Sequence, residues 1–199
     1  MLKFGKVLIV AISATAVMGL MVGTASANRF ASSGNFLTAT WTNMVFTDSF
    51  GGQAVCPVTL SGSLHSRTIT KTGGALGGFL NTGTVGNCST GSATILQASL
   101  PWHLRYLGFT GTLPNIGSIL FNVIGASFRV TTTTGVPCLF TSSATQPVIG
   151  AFALSGGVIR SATVSGRLVS NEACAFGFRA TGNLSGTSNT ITPLTITLI

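Results

Sequence analysis

The chain has 199 residues and a formal net charge of +8, from ten Lys or Arg against two Asp or Glu, and only 6% of its residues are charged; a soluble domain usually has about a quarter. Two carboxylates leave little material for paired-carboxylate acid–base chemistry, and at most two cations can find an acidic side chain in the chain. Its 13 Phe and 26 Gly stand among many Val, Ile, Leu and Thr, a composition that excludes disorder.

The first 27 residues read as a signal peptide. Lys3 and Lys6 open it, Val7 to Val22 is apolar apart from small residues, and Ala25-Ser26-Ala27 supplies a small-x-small cleavage pattern. A retained membrane anchor would need a longer apolar span and gives no reason for Ala-Ser-Ala. Cleavage before Asn28 leaves 199 − 27 = 172 residues, one domain over 28–199, with eight cations and a net charge of 8 − 2 = +6.

Beyond the leader, Phe36, Leu37, Trp41, Met44, Val45 and Phe46 are interleaved with threonines, which predicts a strand or a bent pair of strands. Asp48-Ser49-Phe50-Gly51-Gly52 is a turn signal. Cys56, Val58, Leu60, Gly62 and Leu64 then share one face of a strand, with Thr59, Ser61, Ser63 and His65 on the other. Ser66 to Thr72 continues as a polar strand carrying Arg67 and Lys71. The glycines between Gly73 and Gly91 predict a loop with at most a short, weak strand near Phe79 to Val85. Ser92 to Leu100 returns to alternation.

Pro101 predicts a strand end, an edge or a bulge. After it Trp102, Leu104 and Tyr106 alternate with His103, Arg105 and Leu107, and Pro114-Asn115 supplies a turn. Ile116 to Ile124 is apolar on both faces, broken only by Gly117, Ser118 and Asn122, and predicts a strand covered on both sides or in contact with another layer. Thr131 to Gly135 marks a turn, Pro137-Cys138 opens a strand, and further strands are predicted over 148–154, 158–169, 173–184 and 190–199. No segment after the leader keeps a 3.6-residue apolar period over a helical length. Short strands without intervening helices predict an all-β domain, an antiparallel sandwich or a closed or partly closed barrel of about eight to ten strands. Leu60-Ser61-Gly62, Leu154-Ser155-Gly156, Val164-Ser165-Gly166 and Leu184-Ser185-Gly186 repeat a local pattern, from a decayed duplication or from the abundance of Ser and Gly.

Four cysteines, Cys56, Cys88, Cys138 and Cys174, imply two disulfides in an exported chain, with three possible pairings. Sequential pairing, Cys56 with Cys88 and Cys138 with Cys174, closes loops of similar length, each worth roughly 3–4 kcal/mol on the chain-entropy model. There is no Cys-x-x-Cys pair and no histidine at ligand spacing, so neither a metal nor a cofactor is expected.

Adjacent residues of a strand face opposite ways, which sets His65-Ser66 badly for proton transfer with Asp48 as third member. No Gly-x-Ser-x-Gly elbow or phosphate loop occurs. The expectation is therefore a protein that is not an enzyme. The candidate binding residues are Trp102, His103, Arg105 and Tyr106. They form either an aromatic and cationic face for an anionic or amphiphilic partner, or a buried Trp102–Tyr106 pair that leaves His103 and Arg105 on a narrower face. The positive charge suits an anionic envelope polymer or lipid surface. Basic residues are scattered singly, so no nucleic acid partner is expected.

Leu100-Pro101-Trp102-His103-Leu104-Arg105-Tyr106, the following Phe109 to Ile116 and the preceding Cys56 to Ser66 resemble small exported bacterial all-β proteins of unknown function. Leu-Pro-Trp after a Cys-Ser strand has a fainter likeness to secreted bacterial activators of alkane oxidation, which implies envelope or hydrocarbon-surface association and transfers no catalytic residue. The expected role is non-catalytic binding of an anionic or amphiphilic component, secreted or in the extracytoplasmic envelope. The alternatives are a self-assembling structural surface protein, motivated by the scarcity of charge, and an outer-membrane barrel.

Overall fold

The computed structural model describes residues 29–170, 174, 177 and 179–199; the predicted leader, Asn28 and Glu172 lie outside them. Strand β1 (Arg29–Ser32) leads into the long hairpin of β2 (Phe36–Asp48) and β3 (Gln53–Leu64). Next come β4 (Thr68–Thr70), β5 (Leu76–Val85), β6 (Ser92–Ile95) and a 3-10 turn at Gln97–Ser99. The hairpin of β7 (Trp102–Thr112) and β8 (Asn115–Ile124) follows, then a short one of β9 (Ser127–Thr131) and β10 (Pro137–Thr141). The last strands are β11 (Val148–Ser155), β12 (Val158–Ser170), β13 (Thr181–Thr187), β14 (Thr190–Ile191) and β15 (Ile196–Leu198). No described helix is long and apolar enough to cross a membrane.

Eight strands close a ring. β2, β3, β5, β7, β8, β11, β12 and β13 each pair antiparallel with the next, and β13 returns to β2 through Leu184↔Phe46 and Asn183↔Thr47. The domain is thus an up-and-down barrel rather than a sandwich. The cause is legible in β2 and β3, where every second residue is apolar and buried, so one face of a single continuous sheet must curl around its own side chains. Of the two readings of β2 offered by the sequence, the single strand holds, and in it a bulge between Trp41 and Met44 turns both Thr42 and Asn43 outward and restores Met44 to the core.

The lumen is filled. Leu37, Trp41, Phe46, Val58, Leu60, Leu104, Phe121 and Leu184 are buried in one cluster, and the spaces among them are voids of about 10 and 30 Å³. Outside, hydroxyls take the place of charges. Thr38 pairs with Ser61 at 2.9 Å, Thr40 with Thr59 at 3.0 Å and Thr110 with Ser118 at 2.7 Å, each across two strands.

Both ends are plugged. At one end β1 lies between β15 and β4 and buries Phe30 completely, against Tyr106 and Phe109 at centroid distances of 6.4 and 5.8 Å. At the other, β10, β9 and β6 extend the sheet beyond β12, and Phe128 meets both Phe46 and Trp102 at 5.1 Å. Disulfides Cys56–Cys88 and Cys138–Cys174 fasten this second end, as sequential pairing predicts, with Cα separations of 4.0 and 4.7 Å.

The glycine-rich segment departs from expectation. It contains β5, a full stave of ten residues. A Cβ on Gly77 would lie 2.6 Å from the Phe121 ring, and one on Gly83 would lie 2.5 Å from Ile95. These glycines make room for large neighbours in a narrow barrel rather than marking a loop. The Leu-Ser-Gly pattern has the same origin on three of its four copies. Val164 faces Gly186 and Gly166 faces Leu184 across β12 and β13, and Leu60 faces Gly83, so large and small inward residues oppose one another.

Smaller departures follow from the same geometry. Ser92 to Leu100 is β6 followed by the 3-10 turn, and Ser66 to Thr72 keeps three strand residues, which leave the barrel to pair with β1. β8 is covered on one side only, with Ile119, Phe121 and Val123 inward and Leu120 and Ile124 half-exposed outside. The β7–β8 turn falls on Leu113-Pro114, since Thr112 pairs with Asn115. The predicted strand over 190–199 is divided between β14 and β15, and terminal Ile199 is exposed. The predicted strand over 173–184 starts in residues that lie partly outside those described; β13 begins at Thr181.

Candidate functional site

β7 positions the candidate residues. Its period of two sends Trp102 and Tyr106 into the barrel, 1% and 3% exposed, and His103 and Arg105 outward. Trp102 packs on Phe128 at one plug and donates its indole N–H to Ser99 Oγ at 2.9 Å. Tyr106 packs on Phe30 at the other plug, and burial pushes its phenol pKa up. The structure therefore divides the four candidates: Trp102 and Tyr106 tie the barrel to its two ends, and the accessible face carries His103 and Arg105.

Cross-strand register sets what surrounds them. His103 stands beside Phe79 of β5 and Ile124 of β8, and Arg105 beside Asn122. Gly74, in the β4–β5 connection, accepts a 3.2 Å hydrogen bond from Arg105 Nη1. His103, Arg105, Asn122 and Ile124 form the floor of an open hollow, with Gly74 on one side and Ala144 of the β10–β11 connection on the other. A guanidinium held by one of its five N–H groups presents the rest in a fixed fork, suited to a carboxylate or phosphate.

A second feature was not anticipated from the sequence. The Phe79 ring meets His103 on one side and His65 on the other, edge to face, at 5.4 and 6.1 Å. Both histidines thus flank one ring: Phe36, 77% exposed, Ser63, Phe79 and His103 form one outer row, and His65 lies just past the end of β3. The β3–β5 connection adds Arg67 and Lys71, and Lys71 Nζ lies 5.6 Å over the Phe30 ring. Register across β2, β3, β5 and β7 brings Phe36, Ser63, Phe79 and His103 together, and no sequence motif announces it.

The acidic side chain Asp48 is elsewhere. It sits at the β2–β3 turn and accepts hydrogen bonds from the Phe50 and Gly52 N–H at 2.9 and 2.8 Å, from Thr132 Oγ1, and from Thr134 Oγ1 at 3.2 Å. Burial pushes its pKa up, but the bonds from Thr132, Gly52, Phe50 and Thr134 outweigh that and hold the carboxyl below its ordinary value. The length of β3, about 36 Å at 3.3 Å per residue, separates this turn from His65, so the Ser-His-Asp combination is not assembled. Among the described residues no group of three or more His, Cys, Asp or Glu gathers to hold a metal. The chain matches no family model, no curated protein and no solved structure.

Proposed function

We propose that this is an exported, non-catalytic binding protein for an anionic component of the cell envelope, held on the outer wall at the His103–Arg105–Asn122 hollow. The observation that carries the reading is the oriented Arg105 beside His103 and Asn122 in an open hollow, while Asp48 is spent on four hydrogen bonds at a barrel end. Arg67 and Lys71 add two cations to the connection that also carries Gly74, the acceptor of the Arg105 hydrogen bond. The filled lumen favours a ligand outside rather than within. The two disulfides suit an oxidising compartment. The inner face of the barrel is apolar and the outer face carries hydroxyl pairs such as Thr38–Ser61, Thr40–Thr59 and Thr110–Ser118, which suits a wall that faces water over much of its surface.

The test is retention of the protein on vesicles of anionic lipid against vesicles of zwitterionic lipid. Retention on the anionic vesicles should fall steadily as salt is raised towards about 1 M, where the Debye length is about 3 Å, and Arg105→Ala should weaken it roughly 3- to 10-fold at low salt. Equal retention on both vesicle types, or retention indifferent to salt, overturns the reading.

A further inference from the structure

The outer wall beside the hollow is unusual for this barrel. Beyond the row of Arg105, Asn122 and their β11 neighbour Ile149, Leu120 pairs with Gly108 of β7 and Ala151 of β11, and Leu107 is the extra residue at the β7 bulge between Tyr106 and Gly108, exposed on the same wall. Leu107 and Ile149 are 42% and 43% exposed, and Leu120 is half-exposed. Gly108, opposite Leu120, has open space where a Cβ would stand, which deepens the strip. Across the β2–β3 pairing the outer wall carries hydroxyl pairs instead, Thr38–Ser61 and Thr40–Thr59.

We infer that the site takes a single-chain anionic amphiphile, its phosphate or carboxylate in the His103–Arg105–Asn122 hollow and its alkyl chain along Leu107, Leu120, Ile149 and Ala151. The inference rests on the anion-binding reading above and adds the chain. Charge complementarity fixes the orientation: the cationic hollow abuts one margin of the apolar strip, and the far margin ends in the hydroxyls of Thr110 and Ser118. A chain lying there removes the exposed parts of Leu107 and Ile149 from water, which favours binding in proportion to the area covered.

The experiment uses the protein purified from an exporting host, with monomeric dodecyl phosphate below its micelle concentration as probe. Inorganic phosphate and dodecyl maltoside are the controls that carry only the head charge or only the chain. Amide chemical shifts should move at Arg105, Asn122, Leu120 and Ile149 with dodecyl phosphate, and at Arg105 and Asn122 alone with phosphate. Dodecyl phosphate should bind at least tenfold more tightly than phosphate. Ile149→Ser and, independently, Leu107→Ser should each weaken dodecyl phosphate roughly 3- to 10-fold and leave phosphate unchanged; both positions are exposed enough for the variants to fold. Equal affinity for the two anions, or no effect of either variant, overturns the alkyl site while phosphate shifts at Arg105 preserve the anion site. Dodecyl phosphate binding that appears only above the micelle concentration also overturns the single-molecule site. An absence of shifts at Arg105 and Asn122 with either anion removes both readings.

Discussion

Asp48 shows how a chain with few charges spends one. Its four hydrogen bonds close the β2–β3 turn and tie it to Thr132 and Thr134, beyond β9, so a single carboxylate joins the barrel to its disulfide-bonded end. Gly52 is required at this joint, because a Cβ there would run into Thr132 and Asp48. With its pKa lowered in the folded state, Asp48 contributes stability that is fully present above the unfolded value, about 3.9, and is lost as pH falls through the folded one. Denaturant titrations should therefore give flat stability between about pH 5 and about pH 8 and a decline below about pH 4. Asp48→Ala should lower stability at neutral pH by about 1–3 kcal/mol and flatten that acid limb; an unchanged limb in the variant would assign it to other groups. The two tryptophans differ in the same terms. Trp102 Nε1 has Ser99 as acceptor, whereas Trp41 Nε1 is buried with none.

Strand alternation was readable wherever an inward residue was large. Cys56 to Leu64 and Trp102 to Tyr106 each announce their inner face, and both lie as their spacing predicts. β5 was not readable, because its inward positions include Gly77, Gly78 and Gly83, and a glycine chosen to fit beneath Phe121 or Ile95 looks the same in sequence as one chosen for a turn. The outer hollow was half legible: the period of two separates His103 and Arg105 from Trp102 and Tyr106, but Asn122, Phe79 and His65 reach them only through cross-strand register. Substitution distinguishes the two kinds of glycine. A methyl on Gly62 would enter the Phe79 carbonyl oxygen, whereas Gly73 has open space. Gly62→Ala should cost about 1–3 kcal/mol and Gly73→Ala less than about 0.5 kcal/mol in chemical denaturation. A Gly62→Ala variant as stable as wild type would mean that β3 and β5 approach less closely than described.

For the molecule as a whole, the ring and its two plugs decide where function can reside. An eight-stranded barrel is wide enough either to be filled by side chains or to hold a small ligand, and this one is filled, with Phe30 at one end and Phe128 at the other. The stretch from Trp102 to Tyr106 reaches both plugs from its inner face and presents His103 and Arg105 on its outer face, so one strand joins the packing of the core to the candidate site. The assignment of binding to the outer wall depends on closure, and closure depends on the seam between β2 and β13, where four residue pairs meet. Amide hydrogen exchange tests that seam directly. In a closed ring the amides over 45–49 and 181–185 that face across it are protected as strongly as those in the centre of β3, and all exchange only with global unfolding. Exchange at the seam that is orders of magnitude faster, while β3 stays protected, would show two free edges and an accessible interior, and would contradict the closed barrel on which the outer site rests.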